Sequence, residues 1–506
     1  MLSIRARVSC FLGAWVSLLI VSCGSPNPSI DTAPERTAGS GTKAAAAGAG
    51  GSKPVREPVP QRDVGHTNFL LITVDALRAD HLHCYGYPKE TSPVLDALAA
   101  EGALFEKAFA PKGSTWPSLA TILTGLHPVT HGVRYNGMRL ASEHDTMAEV
   151  LRPLGYDCAV FISNGGQQRW EGFDVKSIIR DEPRDAGVTE QAVAWLKEHA
   201  DDKFFLWVHY FAPHGPYTPS DEFNRFTDPN YRGTIDGSYD TLTRVFTQQQ
   251  NLKPEDVAHV KGLYDGEVLF TDTQMGLLLD ELKAHGVYDD TLVVFSADHG
   301  EELHDHHRYF HHQASLYDGT IQVPLIFKLK DKIPPGLREK LPVSIVDIAP
   351  TVLELLGVGI PKEYEGTSLV PVFRDEKLAR GPVFGEWGDK MLYIRTDEYK
   401  YIYNPSGFHP PVKREREEAN EGGRNRRRNE HALPMKEREL YKVSEDPGEQ
   451  QEISEAAPEV VAELEKELAS FREKYGWRLE NKAEEQLQKD LDPQTREELE
   501  ALGYVL

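Results

Sequence analysis

Four short segments hold most of the side chains that could make or break bonds. The first is Val74-Asp75-Ala76-Leu77-Arg78-Ala79-Asp80, which closes an apolar run. An acid at the end of a buried strand lies where a cation would be held. The second is Gly113-Ser114-Thr115-Trp116-Pro117-Ser118-Leu119-Ala120-Thr121. A hydroxyl just before a helix start sits in positive potential, where an anionic substrate would also dock, so Thr115 is a candidate nucleophile. The third, Phe295-Ser296-Ala297-Asp298-His299-Gly300-Glu301, again ends an apolar run. Adjacent Asp and His suit a hard or borderline cation, and glycine permits close backbone approach. His304, His306, His307, His311 and His312 follow, a density of imidazoles seldom found for surface reasons alone. The fourth is Val208-His209-Tyr210-Phe211-Ala212-Pro213-His214-Gly215-Pro216-Tyr217. Each segment has an ordinary reading by itself: a capping Asp, a capping Thr, a proline-stiffened loop. Acids, imidazoles and a hydroxyl at four strand ends or loops together point to metal-assisted chemistry on an anionic ester.

Alternating strands and helices must position these groups. Apolar runs at 69–74, 158–162, 204–210, 292–296 and 323–327 read as buried strands. Helical patterns lie between them at 92–101 (with Ser92 as cap and Pro93 in the first turn), 117–123, 146–152, 189–198, 257–285 and 346–356. The fold class expected is α/β: a large mixed, mostly parallel sheet flanked by helices, with the site at the carboxyl ends of its strands. Beyond residue 374, strand-like pieces at 382–386, 391–395, 399–403 and 440–443 suggest a small antiparallel sheet. A charged insertion at 404–436, with Arg424, Arg426, Arg427 and Arg428, reads as a solvated loop. The organisation expected is a segment 1–22 to be removed, a linker 23–64, a catalytic domain 65–375, a smaller unit 376–475 and a helical tail 476–506.

The chain has 506 residues, with 56 Lys+Arg against 79 Asp+Glu and a net charge of −23. Such an acidic balance argues against non-specific nucleic-acid binding. Arg5 and Arg7 precede the apolar run 11–21, too short to span a bilayer comfortably and fitting an export signal. It ends in Ile20-Val21-Ser22-Cys23, which resembles a bacterial lipobox. The resemblance implies that Cys23 is lipidated and anchors an exported protein to a membrane, with the Pro/Ala/Gly/Ser-rich stretch 24–64 as tether. Cys84 and Cys158 would be the mature chain's other cysteines, and spacing leaves their pairing open.

The four segments resemble the sulfatase family of the alkaline-phosphatase-type superfamily. Supporting blocks are Tyr85-Gly86-Tyr87, Leu126-His127-Pro128, His131-Gly132, Gly155-Tyr156, Val346-Asp347-Ile348-Ala349-Pro350-Thr351, Gly366-Thr367-Ser368-Leu369, and Leu440-Tyr441 with Asp446-Pro447-Gly448-Glu449. The resemblance covers residues 68–443 and implies that Asp75, Asp298 and His299 bind a divalent metal, with Thr115 at the nucleophile position. It places His214 at a substrate-binding or leaving-group histidine, and His311 or His312 at a basic residue contacting the transferred anion. Asn164 lies near another anion-contacting position, and His209 joins this candidate substrate-binding set.

The departures from that family are chemical. Sulfatases carry Cys or Ser at the Thr115 position, oxidised to formylglycine, and Arg at the Leu119 position; threonine cannot give that aldehyde. A hydrated aldehyde expels sulfate by collapse of its hemiacetal, whereas a threonine ester must be cleared by water or another acceptor. Threonine here resembles the phosphodiesterases and phosphoryl-group transferases of the superfamily. Ala76 replaces the second acid of the familiar pair, and Ala212 stands where many relatives have Asp, so one metal ion (Ca²⁺, Zn²⁺ or Mn²⁺) is expected and no formylglycine. The function expected is hydrolysis of sulfate or phosphate esters of a glycan, lipid or small molecule. The alternatives are phosphoryl-group transfer and anionic-glycan binding without catalysis.

Overall fold

The run Asn68–Val74 is buried along its whole length, which a strand achieves only with strands on both sides and helices on both faces. It forms the middle of a nine-stranded sheet. The computed structural model describes residues 66–163, 170–180, 184–247, 252–306, 310–312, 315–407 and 435–479, with Leu487, Leu491, Thr495 and Arg496 beyond them. The expected export signal with Cys23, the tether, Asn164, His307, residues 408–434 of the charged insertion and most of the tail after 476 lie outside the described residues.

In chain order the strands are β1 (Asn68–Val74), β2 (Ala103–Phe109), β3 (Asp157–Ile162), β4 (Val175–Ile178), β5 (Phe204–Tyr210), β6 (Thr291–Ala297), β7 (Glu302–Leu303), β8 (Phe310–His311), β9 (Gln322–Lys328), β10 (Leu337–Glu339), β11 (Val343–Ser344), β12 (Val383–Trp387), β13 (Met391–Arg395), β14 (Lys400–Tyr403) and β15 (Arg438–Tyr441). The α-helices are α1 (Pro93–Glu101), α2 (Thr115–Thr124), α3 (Pro128–His131), α4 (Met147–Leu151), α5 (Arg184–His199), α6 (Tyr239–Thr247), α7 (Pro254–Ala284), α8 (Asp318–Ile321), α9 (Ile348–Leu355), α10 (Val370–Phe373) and α11 (Pro458–Tyr475).

The large sheet has the order β10-β2-β9-β6-β1-β5-β3-β4, with β11 beside β2. Its pairs are parallel except around β9, which runs against both β2 and β6. A mixed, mostly parallel sheet is therefore present as expected. Its centre, β6-β1-β5, brings Val74, Ala297 and Tyr210 into one register row, so three chain segments leave the sheet side by side. Asp75 and Asp298 continue that row: the Asp75 amide donates to the Tyr210 carbonyl at 2.9 Å, and the Asp298 amide to Val74 at 3.2 Å.

The second sheet is antiparallel, ordered β12-β13-β14-β15. Leu464, Leu468 and Phe471 of α11 pack with Leu392, Ile394 and Tyr401 on it, giving the charged tail helix a buried stripe. A buried charge network joins this sheet to the large one. Lys400, fully buried, pairs with Asp318 at 2.7 Å and Glu449 at 2.6 Å, and Arg395 lies 3.5 Å from Asp318. Burial alone would raise the Asp318 carboxyl, but Lys400 and Arg395 outweigh it and hold it below the usual range.

Two elements differ from the sequence reading. β2 was not expected, because Glu106-Lys107 interrupts its apolar run; the register slips between Phe105 and Ala108, and that bulge turns both charged residues outward. Ser92 does not cap α1. Its hydroxyl accepts from the His83 amide and donates to Asp96, while the α1 amides of Val94 and Leu95 are taken by Asp272 of α7, each at 2.9 Å. Cys84 and Cys158 are both free thiols.

Candidate active site

Asp75, Asp298 and His299 meet at the carboxyl ends of β1 and β6, all three fully buried. One ligand atom from each lies within 4.8 Å of the others; His299 Nε2 is 3.4 Å from Asp75 and 3.6 Å from Asp298 Oδ2. Backbone contacts orient the set. Asp298 Oδ1 accepts from the amides of Ala76 and His299, at 3.2 and 2.7 Å. His299 Nδ1 donates to the Gly300 carbonyl at 2.8 Å, which leaves Nε2 with the lone pair a cation needs. Gly300 is required here, since a Cβ would lie 2.2 Å from the Gly319 carbonyl.

The residues fit a divalent cation. Asp298 Oδ2 is buried with no hydrogen-bond partner, and burial pushes the carboxyl up to about 8 despite the two amides. A buried acid of this kind lacks a countercharge, which a cation would supply. The donor set of two carboxylates and an imidazole suits Zn²⁺ or Mn²⁺ and admits Ca²⁺.

Thr115 opens α2, and its Oγ1 is 3.3 Å from His299 Nε2. All ten residues of α2 are buried, so the hydroxyl is set by packing on every side of its helix. Asn136 takes the Trp116 amide and the Ser114 hydroxyl at 2.9 and 3.0 Å, fixing the first turn. Leu119, one turn on, lies in the main apolar core.

His312 and His214 complete a row of rings. His312 lies 4.2 Å from His299 and 4.9 Å from His214, centroid to centroid. His214 Nδ1 donates to the Gly215 carbonyl at 2.8 Å; His312 Nδ1 is 3.1 Å from Glu301 Oε1. Asp185 steadies the loop that carries His214 by accepting the Phe211 and Ala212 amides, both at 2.8 Å. His209 is placed differently, within β5, where its Nδ1 meets Thr73 Oγ1 at 2.9 Å and burial pushes it down to about 3. His306 turns away, stacked on Tyr317 at 3.8 Å with Nε2 3.2 Å from the Glu449 carbonyl. His311 is on β8.

Three supporting residues were not singled out from sequence. Arg78, nearly buried, donates to the Glu301 carbonyl at 3.0 Å and pairs with Asp80 and Asp305. It thereby ties the turn after β1 to the loop after β6. Tyr264 of α7 receives the Arg78 amide and donates to the Ala76 carbonyl, at 2.9 and 2.8 Å. That grip holds Ala76 at φ 57, a left-handed conformation unusual for alanine. Arg78 stands three residues after Asp75, a spacing that marks a turn brace only once the strand ends are known. Tyr264 and Glu301 gave no separable signal.

The sulfatase family profile matches residues 67–358, more than half of the chain. Delta 4,5-hexuronate-2-O-sulfatase of Bacteroides thetaiotaomicron is 25% identical over 439 residues, covering 76% of this chain and 84% of the relative. The multifunctional alkaline phosphatase superfamily protein PehA of Trinickia caryophylli is 25% identical over 421 residues, covering 64% and 79%. Among solved structures, the phosphonate monoester hydrolase of Agrobacterium radiobacter shares the fold with a TM-score of 0.64 at 21% identity, covering 81% of this chain and 96% of that one. The profile match and the geometry agree, and the chain belongs to the sulfatase family of ester hydrolases.

Proposed function

We propose that the protein hydrolyses sulfate or phosphate esters with Thr115 as covalent nucleophile and one divalent cation held by Asp75, Asp298 and His299. The observation that carries this reading is the placement of Thr115 Oγ1, 3.3 Å from the imidazole nitrogen of the buried ligand set. When bound, the cation lowers the hydroxyl's pKa and offsets charge on the transferred group. Thr115 Oγ1 attacks sulfur or phosphorus as the ester oxygen departs. His214, with Nδ1 committed to the Gly215 carbonyl, carries on Nε2 the proton that the leaving oxygen takes. Water then attacks the threonine ester, restoring the hydroxyl and releasing the inorganic anion. His312, held by Glu301, lines the same row and contacts the anion in this reading.

Threonine favours the phosphoryl side of this choice, because its ester has no second hydroxyl through which to expel sulfate. Relatives named for sulfated sugars support an anionic glycan as the organic part. The test is turnover of an aryl sulfate, a phosphate monoester and a phosphate diester with added metals. Acceptor-dependent product formation without turnover in water would instead mark a transferase. The lipobox supports a companion proposal of export and anchoring through Cys23. Loss of membrane association on Cys23→Ala tests it, and persistence would overturn it.

A further inference from the structure

Helix α2 begins with Thr115 and ends at Gly125, and the chain beyond it walls a cavity of ≈ 290 Å³. The opposite wall is α11, through Ser470, Phe471, Lys474 and Tyr475. Ten residues of helix separate this cavity from the hydroxyl of Thr115, about 15 Å at the usual rise. It is therefore not part of the active site.

Two polar atoms on its lining are buried without a hydrogen-bond partner, Nδ1 of His127 and Nε of Arg380. His127 is 9% exposed, and the Arg380 side chain 10%. Neither is free to swing out to water. Arg380 is tethered through Nη1 to Asp347, which also accepts the Ser344 and Thr367 amides at 2.8 Å each. The His127 amide is fixed on Glu365 at 2.7 Å. Unsatisfied buried groups cost about 1–3 kcal/mol each and are uncommon in native proteins, so two on one cavity lining point to an absent occupant.

The remaining lining narrows its chemistry. Phe384 stacks on Phe471 at 4.8 Å, Tyr475 tilts against Phe471 at 4.8 Å, and His127 meets Phe471 edge-on at 5.3 Å. Asp347, Glu365 and Glu467 add carboxylates. Those acids disfavour a free inorganic anion, and the aromatic wall disfavours a cluster of water alone. Aromatic faces with both donors and acceptors at their edges suit a ring that is apolar on one face and bears hydroxyls around its rim. We propose that this cavity is a saccharide-binding site, sized for one sugar ring. The inference rests on the cavity and not on the reaction assigned to Thr115.

Full-length protein titrated with methyl glucoside, methyl galactoside, N-acetylglucosamine and glucuronate, followed by saturation-transfer NMR, tests the proposal. Ser470 is exposed on α11 and lines the cavity, so Ser470→Trp fills the space without touching the core. At least one sugar is expected to bind the parent, to bind Ser470→Trp at least tenfold more weakly, and to weaken again with Arg380→Gln. Lys474→Trp, exposed on the same helix, replaces Ser470→Trp if that variant melts early. No sugar binding, sugar binding undiminished by the blocking variant, or blockable binding of inorganic phosphate alone each overturns the proposal.

Discussion

Thr115→Val is the most informative single change, because the structure lets its effects on folding and on chemistry be computed apart. Valine keeps the branched shape in a fully buried position and removes only Oγ1. The lost contact to His299 is long, at 3.3 Å, so its net contribution to stability is about 0.5–1 kcal/mol. For a chain of this size that is a melting shift below about 2 °C. If Oγ1 is the attacking atom, turnover should fall by at least ~10³-fold, roughly 4 kcal/mol in the barrier. Thr115→Ser is the matching control: it keeps the hydroxyl and deletes one buried methyl, costing about 1 kcal/mol of stability. Its turnover should remain within tenfold of the parent. Initial rates on aryl phosphate, aryl phosphodiester and aryl sulfate, with thermal melts on the same samples, supply both readouts. A folded Thr115→Val protein whose rate stays within tenfold of the parent would refute covalent attack by Thr115 and leave water as the attacking group.

Other expected outcomes follow from the same geometry. Zn²⁺, Mn²⁺ or Ca²⁺ should raise the parent's melting temperature, with about 2.7 kcal/mol gained at a hundredfold excess over Kd; Asp298→Asn should abolish the gain, and an unchanged gain would place the cation elsewhere. Burial would raise the Asp305 carboxyl, but Arg78 and Lys261 outweigh it and hold it well below its ordinary value. Stability from this pairing is thus present above the unfolded pKa of about 4 and lost as pH falls below it. Arg78→Met should flatten that acid limb and destabilise the protein at neutral pH by roughly 3 kcal/mol; a parent-like acid profile would contradict the assignment. Burial pushes Lys112 down to about 7 from 10.5, so the folded state resists its protonation, and stability should climb as pH rises from 7 towards 10. Lys112→Met should remove that climb in a pH series of thermal melts, and an unchanged slope would count against it.

The sequence read most clearly where one physical signal dominated. Apolar runs marked β1, β5, β6 and β9, and the acids and histidines closing β1 and β6 marked the metal-ligand candidates. Neither β2 nor the α1 cap could be read the same way. Glu106-Lys107 obeys a bulge that only the neighbouring strand reveals, and Asp272 reaches the amides of Val94 and Leu95 from 177 or 178 residues away. The histidines were legible as a group but not as individuals. His299, His312 and His214 form one row, whereas His209 bonds to Thr73 in the sheet and His306 stacks on Tyr317. Which way an imidazole faces depends on strand parity and loop closure, and composition carries neither.

The pairing of Lys400 with Asp318 and Glu449 has a consequence for how such proteins can evolve. Asp318 belongs to the large sheet's side of the molecule, Lys400 to the small sheet and Glu449 to the chain after β15. A recombination event that replaced residues after about 380 with a homologous stretch lacking a lysine at position 400 would strand a buried carboxylate. It would do so just beyond the loop whose first residues are Asp298 and His299. Exchange of this half between lineages is therefore restricted to donors carrying the complementary charge, and the two halves should be inherited together.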